Sequence, residues 1–87
     1  MNRYTDLASH CIGLGRRKPY RRHGRTFYRP YRNRFACAQQ DDDWECMVGA
    51  GYAVRSDVGH RVYYSMTRAG LDWLGGQLGM TIYDEED

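Results

Sequence analysis

The spacing of apolar residues predicts four short helices, over residues 4–14, 30–38, 42–50 and 68–74. In each of them apolar side chains recur at intervals of three or four residues, which places them on one face of a helix. Pro30 suits the first position of the second helix, where a missing N–H costs no hydrogen bond. The apolar faces consist of Leu7, Cys11 and Leu14; Tyr31, Phe35 and Ala38; Trp44, Met47 and Val48; and Leu71, Leu74 and Leu78.

Capping signals accompany the last two of these helices. Asp42 with Glu45 three residues later resembles a capping box, and Gly51 suits the left-handed conformation that ends a helix. Thr67 is predicted to be the N-cap of the last helix. Gly70 within that helix costs about 1 kcal/mol relative to alanine, so we expect another backbone to approach it closely.

The hydrophobic period changes to two between Gly51 and Thr67. Two alternating runs flank the turn residues 57–60, which predicts an antiparallel β-hairpin. The alternating positions are Tyr52, Val54, Ser56 and Val58 in the first run and Val62, Tyr64 and Met66 in the second. Three to four short helices and a two-stranded hairpin predict an α+β fold.

Charge is separated along the chain, although the formal net charge is only +2. Residues 16–34 contain nine of the thirteen Lys and Arg residues and no acid, whereas residues 35–87 contain ten acids and three arginines. Prolines and glycines interrupt residues 15–30, so we predict a basic loop there, with at most a short extended piece at residues 26–28. Like charges at this density repel one another unless an anionic partner or the acids elsewhere in the chain neutralise them.

The length of 87 residues allows one small domain, which we place at residues 1–83, followed by a solvated acidic tail at residues 84–87. No apolar run is long enough for a membrane span or a signal peptide, so we expect a cytoplasmic protein without a membrane partner. The three cysteines are an odd number at wide spacing and are interpreted as thiols. Cys11 and Cys46 fall on apolar helix faces, where we expect both to be buried.

The sequence lacks the patterns that indicate catalysis or metal binding. His10, His23 and His60 have no suitably spaced partner, and the cysteines lack the spacing that places two ligands on one turn. Residues 13–16, Gly-Leu-Gly-Arg, lack the third glycine and the Lys-Ser pair of phosphate-binding loops. We therefore expect neither an enzyme nor a bound cofactor or metal.

The second half of the chain resembles a winged helix. In MarR-like and PadR-like regulators a recognition-type helix ends in a glycine, a two-stranded wing follows, and a T-x-x-G segment opens the closing helix. The residues that carry the resemblance cover about half the chain and are Trp44, Met47, Val48, Gly51 and Tyr52, followed by Arg61-Val-Tyr-Tyr-Ser-Met-Thr-Arg-Ala-Gly-Leu71. The resemblance implies a winged-helix-like fold, which serves both nucleic-acid binding and protein interaction.

The chain also resembles small proteins encoded by phages and prophages of Gram-positive bacteria. This second resemblance extends over the whole sequence and includes Gly-Leu-Gly at residues 13–15 and Tyr-Arg-Asn-Arg-Phe at residues 31–35. It implies a phage origin, and a phage-encoded protein of this kind is expected in the cytoplasm of the host cell.

The acids of the predicted recognition-type helix argue against its insertion beside phosphates, which they would repel. We therefore expect residues 16–34 to make the principal contacts with an anionic partner, assisted by two arginines of the hairpin. Aromatic side chains in the basic segment either stack on bases or complete the small core. The predicted binding residues are Arg16, Arg17, Lys18, Arg21, Arg22, Arg25, Arg29, Arg32 and Arg34, with Tyr20 and Tyr28, and with Arg55 and Arg61.

Two hypotheses of different classes follow. The first is a phage-derived, winged-helix-like nucleic-acid-binding protein, with DNA favoured over RNA, whose arginines neutralise phosphates and release counterions. The alternative is a phage inhibitor of a host defence nuclease, of the anti-CRISPR type, that binds a host protein where nucleic acid normally sits, because Arg and Tyr are typical of interface hot spots. A homodimer is compatible with both, since the C-terminal region is rich in apolar residues, namely Leu71, Trp73, Leu74, Leu78, Met80 and Ile82.

Overall fold

The structure is a computed structural model and describes residues 3–83. The predicted acidic tail at residues 84–87 lies outside the described residues. The described chain contains helices and strands in the order α1 (Arg3–Cys11), β1 (Tyr20–Arg22), β2 (Arg25–Tyr28), β3 (Phe35–Cys37), α2 (Asp42–Gly49), β4 (Ala53–Val58), β5 (Arg61–Met66), α3 (Arg68–Leu78) and β6 (Thr81–Ile82). The predicted α+β class is confirmed.

The strands of the described chain form two three-stranded sheets. In the first, here termed the basic sheet, β1 and β2 form an antiparallel hairpin and β6 pairs in parallel with β2. In the second and larger sheet, β5 lies between β3 and β4 and pairs antiparallel with both. The predicted hairpin is therefore confirmed as β4–β5, and β3 adds a third strand that the periodicity did not predict.

Trp44 of α2 is a central residue of the core. Its ring is fully buried, stacks on Tyr64 at a centroid distance of 5.2 Å and lies 5.3 Å from Phe35. The Tyr64 hydroxyl donates to a carboxylate oxygen of Glu45 at 2.7 Å, which satisfies the polar end of this buried ring. Burial, reinforced by the Glu45 carboxylate, raises the pKa of Tyr64. The other large buried apolar side chains are Ile12, Tyr28, Met47, Met66, Leu71, Leu74 and Ile82.

The N-cap of helix α2 lies one residue earlier than the sequence predicts. Asp41, not Asp42, is the N-cap, and its carboxylate accepts a hydrogen bond from the backbone N–H of Trp44 at 3.1 Å. Gly51 follows the helix with φ +85°, as predicted. The expectation that Cys46 is buried is wrong, because this side chain lies on the solvent side of α2 and is exposed.

Helix α3 confirms both the predicted cap and the predicted close approach. The Thr67 hydroxyl accepts from the N–H of Gly70 at 3.0 Å. A Cβ atom at Gly70 would lie 1.9 Å from the Tyr52 carbonyl oxygen, so only glycine fits there. The helix extends to Leu78, beyond its predicted end, and closes on Gly79 in the left-handed conformation.

The helix predicted over residues 30–38 is wrong. The backbone N–H groups of Tyr31 and Arg34 donate at 3.1 Å to carbonyls at the end of α1, and β3 follows directly. Asn33 adds a two-way clamp on β5, accepting from the N–H of Met66 at 2.7 Å and donating to its carbonyl at 2.9 Å. Hydrogen bonds to distant segments thus replace those of a local helix, and apolar spacing alone does not reveal them.

The prediction of a loop over residues 15–30 is wrong at residues 20–28, which form the β1–β2 hairpin, although the extended piece predicted at residues 26–28 is confirmed within β2. His23 and Gly24 occupy its turn with φ 53° and φ 76°. Positive φ at both central residues matches the right-handed twist of the flanking strands. Longer-range pairing with β6 adds to this local preference.

Candidate nucleic-acid interface

Residues 15–25 form an uninterrupted exposed stretch, here termed the basic stretch. It carries six cations, three in the loop after α1 and three on the β1–β2 hairpin: Arg16, Arg17 and Lys18, then Arg21, Arg22 and Arg25. Every residue of the stretch is accessible to a partner. An anion that approaches the basic stretch therefore meets exposed cations, six of them within eleven residues.

The basic stretch is held in place by buried contacts at its end. Tyr28, the last residue of β2, is fully buried, and its hydroxyl donates to the Gly13 carbonyl at 2.9 Å. Burial raises the pKa of this phenol. A guanidinium nitrogen of Arg17 donates to the Arg29 carbonyl at 3.2 Å and links the loop after α1 to the end of β2. The cations are thus displayed from a folded hairpin.

The outer face of the basic sheet carries a row of three rings, here termed the aromatic row: Tyr20, Phe27 and Tyr83. Tyr20 and Phe27 are cross-strand partners 5.8 Å apart, and Tyr83 follows at 5.9 Å from Phe27 with nearly parallel rings. Arg22 and Arg25 are directly paired two residues further along the same hairpin, so their side chains leave from the same face. This face combines ring surface with positive charge.

A cleft of about 500 Å³ opens where the chain passes from the basic sheet to β3. The Arg34 guanidinium lies 4.2 Å from the centroid of the Tyr63 ring, and Arg32 donates to the His10 carbonyl at 3.0 Å. The Arg32 Nε is buried and has no hydrogen-bond partner among residues 3–83. An adjoining cleft shares His10 and Arg32 and adds Arg16, which connects this site to the basic stretch.

Several acids of the described chain form ion pairs away from the basic stretch. Residues 3–83 contain thirteen Lys and Arg against seven Asp and Glu. Ion pairs hold several of these acids: Asp43 with Arg3 at 3.0 Å, Glu45 with Arg55 at 3.4 Å, and Asp72 with Arg68 at 2.9 Å. Among the described residues no carboxylate forms an ion pair with a cation of the basic stretch. The acids of the described chain therefore do not relieve the repulsion among the cations of the basic stretch, and this favours an anionic partner.

Two of the predicted binding residues have other roles. The prediction for Tyr28 is wrong, because the ring is fully buried and anchors the hairpin. Arg55 forms ion pairs with Glu45 and Asp57 of its own chain, at 3.4 and 3.5 Å, and we do not include it in the candidate interface. Arg61 is exposed at the start of β5, which belongs to the larger sheet and not to the basic sheet. We therefore restrict the candidate interface to the basic stretch, the aromatic row and the adjoining clefts.

Sequence reasoning missed Phe27 and Tyr83 as surface side chains of the interface. The period-two pattern of Tyr20 and Arg22, mirrored by Arg25 and Phe27 across the turn, is a local signal that would have placed these residues on one face. Tyr83 had no such signal, because it joins the row only through the parallel pairing of β6 with β2.

Comparison of the chain with protein-family models, with curated proteins and with solved structures found no match. Within residues 3–83 no group of three or more His, Cys, Asp and Glu side chains is arranged to hold a metal ion. No helix in the described part of the chain is long and apolar enough to cross a membrane. The functional assignment therefore rests on the residues of the interface themselves.

Proposed function

We propose that the protein is a small, phage-derived, winged-helix-like nucleic-acid-binding protein that contacts phosphates through the basic stretch. The observation that carries this proposal is the continuous exposure of six cations on a folded hairpin, with no ion pair to a carboxylate of residues 3–83. Each phosphate that a cation neutralises releases condensed counterions, which supplies affinity without base recognition. Guanidinium groups add bidentate hydrogen bonds to phosphate oxygens.

The order of elements supports the winged-helix part of the proposal. Helix α2 ends before Gly51 at positive φ, the β4–β5 hairpin follows, and Thr67 caps α3. This is the order that motivates the resemblance to MarR-like and PadR-like regulators. In the proposal α2 is not the helix that reads bases, because Asp43 and Glu45 lie on it and repel phosphates.

The cleft beside the basic stretch supplies a second set of contacts in the proposed complex. Arg32 and Arg34 line this cleft together with His10, and guanidinium groups of this kind donate to phosphate oxygens. A nucleic-acid strand that runs from the hairpin past Arg16 into this cleft stays on cations throughout.

Binding at low salt tests the proposal. The wild-type protein is titrated by fluorescence anisotropy into labelled duplex DNA, single-stranded DNA and RNA, alongside a variant in which five cations are changed to alanine: Arg16, Arg17, Lys18, Arg21 and Arg22. We expect the wild type to bind and the variant to lose most of its affinity, with circular dichroism confirming that it is folded. Arg3→Ala is the matched control, since Arg3 is an exposed cation paired with Asp43 outside the interface.

Failure of the wild-type protein to bind any of the three nucleic acids at low salt would refute the proposal. Equal binding by the wild type and the five-alanine variant would refute the role of the basic stretch. Recovery of one stoichiometric host protein with the tagged protein, without nucleic acid, would instead favour an inhibitor of a host nuclease.

A further inference from the structure

We propose that the aromatic row stacks on unpaired bases, so that the protein binds single-stranded nucleic acid more tightly than duplex. This inference rests on the proposed function and specifies its ligand. The row is formed by Tyr20 of β1, Phe27 of β2 and Tyr83, the residue after β6. Its two end rings are exposed, Tyr20 by 42% and Tyr83 by 38%.

The position of these rings on a sheet surface distinguishes them from the aromatic residues of the core. A chain of this size has few apolar side chains with which to build a core, and Tyr28, Trp44 and Tyr64 are fully buried in it. The row instead lies on a sheet surface, where its rings stack on one another at centroid distances of 5.8 and 5.9 Å and end in the exposed rings of Tyr20 and Tyr83. Aromatic side chains on an open sheet are the platform on which single-strand-binding proteins stack bases.

Strand geometry determines the preference. In a duplex the faces of each base are covered by neighbouring base pairs, so a protein ring reaches them only after unstacking. In a single strand the faces of the bases are accessible. Because every base has an aromatic face, stacking on the rings does not depend on sequence.

Cations lie beside the row where the backbone of a stacked strand must pass. Arg22 and Arg25 share the outer face of the hairpin with Tyr20 and Phe27. At the other end the Arg29 guanidinium lies 5.6 Å from the centroid of the Tyr83 ring. One bound strand can therefore stack its bases on the rings and place its phosphates on these guanidinium groups.

The test separates ring stacking from phosphate contact. Tyr20→Leu and Tyr83→Leu keep apolar bulk but remove the ring, and Tyr20→Phe keeps the ring. Tyr31→Leu is the matched control, because Tyr31 is 52% exposed but lies outside the row. Each variant is titrated against a labelled single-stranded oligonucleotide and its duplex at several salt concentrations.

We expect each leucine variant of the row to lower single-strand affinity by about 5- to 150-fold, the range for loss of one stacked base. Tyr20→Phe and Tyr31→Leu should bind like the wild type. The slope of log affinity against log salt should stay unchanged in the leucine variants, because no phosphate contact is removed.

Equal affinity of the wild type for single-stranded and duplex DNA would overturn the stacking inference while leaving the proposed function intact. Wild-type affinity of both leucine variants would overturn it as well. Absence of binding to every nucleic acid would refute both the stacking inference and the proposed function.

A different strand carries a second, independent inference. Strand β4 is an edge of the larger sheet, and all of its residues after Ala53 are exposed. Val54 is 53% and Val58 58% exposed. The strand contains no proline, and its register with β5 runs without a bulge, so its protection as an edge strand rests on the charges of Arg55 and Asp57.

The hairpin register shows which backbone groups of β4 are open. Asn33 binds both the N–H and the carbonyl of Met66, so the pair Ala53–Met66 exchanges no hydrogen bonds across β4 and β5. Because hydrogen-bonded and non-hydrogen-bonded pairs alternate, Ala53, Arg55 and Asp57 direct their N–H and carbonyl groups away from β5. An added strand must therefore pair with these residues.

We infer that β4 pairs antiparallel with β4 of a second copy, with the two-fold axis at Ser56. In this register Arg55 faces Asp57 of the partner subunit in both directions, and the exposed valines pair across the interface. Shifting the axis to Arg55 places Arg55 opposite Arg55 of the partner subunit, and shifting it to Asp57 places Asp57 opposite Asp57 of the partner subunit. Like charges directly opposite are destabilising, so the charges select the register centred on Ser56.

The apolar C-terminal residues on which a homodimer was first expected are largely used within the chain. Leu71, Leu74 and Ile82 are buried, and Trp73 stacks on Tyr52 at a centroid distance of 5.1 Å. The edge of β4, which no other strand within residues 3–83 covers, is therefore the better surface for self-association.

Charge reversal and cross-linking test this interface. By sedimentation at two concentrations, we expect the wild-type chain of 10.2 kDa to approach twice its mass at the higher one. Asp57→Arg should stay monomeric, and the double variant Arg55→Asp with Asp57→Arg should dimerise again. In a Cys46→Ser background, Ser56→Cys should form an intermolecular disulfide, because opposed non-hydrogen-bonded residues lie about 4.5 Å apart.

Ser65→Cys, on the neighbouring strand, is the control that should not cross-link. A wild-type protein that stays monomeric at every concentration would refute the inference. A dimer that persists in Asp57→Arg, or that cross-links through position 65 rather than 56, would place the interface elsewhere and equally refute it.

Discussion

Gly70→Ala is expected to destabilise the protein, although alanine is the better helix former. The new Cβ atom would lie 1.9 Å from the Tyr52 carbonyl oxygen and 2.8 Å from the terminal methyl of Met66. Since such contacts are essentially never shorter than 3.0 Å, α3 and the residue before β4 must separate by about 1 Å. The same carbonyl accepts the N–H of Thr67 at 3.0 Å, so the separation also strains the link that starts α3.

The opposing terms can be compared directly. Replacing glycine by alanine within a helix gains about 1 kcal/mol. Overpacking costs about 1–3 kcal/mol or more, and weakening a buried hydrogen bond adds about 1 kcal/mol. The free energy of unfolding should therefore fall by about 1–3 kcal/mol, which corresponds to a drop in Tm of about 5–20 °C for a domain of this size.

Thermal unfolding followed by circular dichroism measures this change, with Gly76→Ala as the matched control in the same helix. A Cβ at Gly76 meets nothing within 4 Å, so this variant should gain about 0.5–1 kcal/mol and melt a few degrees higher. If Gly70→Ala melts at or above the wild-type temperature while Gly76→Ala is stabilised, the contact of α3 with Tyr52 does not exist as described.

Three further predictions concern capping, pH and thiols. Thr67→Ala should lower the free energy of unfolding by about 1 kcal/mol in urea titrations, and unchanged stability would contradict the cap seen at α3. Burial raises the pKa of Tyr28 and Tyr64 above their ordinary value of 10.0, so unfolding releases protons above that pH and stability should fall as pH rises further; stability that holds or rises there would contradict this. Cys46 should react first with iodoacetamide, because it is exposed while burial and Asp41 raise the pKa of Cys37; mass spectrometry identifies the alkylated residue.

The second half of the fold could be predicted because short-range contacts determine it. The Thr67 cap, the turn at Gly59 and the alternation through Tyr64 each depend on residues only a few positions apart. The close approach at Gly70 could also be anticipated, since a glycine within a helix is unfavourable unless space requires it.

The first half could not be predicted because distant pairings determine it. Strand β3 forms against β5, nearly thirty residues later, and β2 is supported by β6 at the end of the described chain. The helical spacing of Tyr31 and Phe35 competes with these pairings and loses. Local patterns carry no information about hydrogen bonds that close over such distances.

For the candidate site, the exposure of the charged residues could be predicted from the sequence, whereas the exposure of the aromatic rings could not. Lys and Arg are almost never fully buried without a partner, so a dense basic segment is expected to reach the surface, as residues 15–25 do. A tyrosine suits either environment. Tyr20 and Tyr28 lie eight residues apart on one hairpin, and the first is exposed while the second is fully buried.

The salt dependence of binding to duplex DNA tests the central claim most directly. If the six cations of the basic stretch each neutralise a phosphate, they contribute about −5 to the slope of log affinity against log salt, to which the arginines of the cleft add. The slope of the five-alanine variant should be shallower by about 4 to 5, because five phosphate contacts are lost while Arg25 and the cleft arginines remain, and the slope of Arg3→Ala should equal that of the wild type. Equal slopes for the wild type and the five-alanine variant would contradict the account, because they would show that phosphates are neutralised by cations outside the basic stretch.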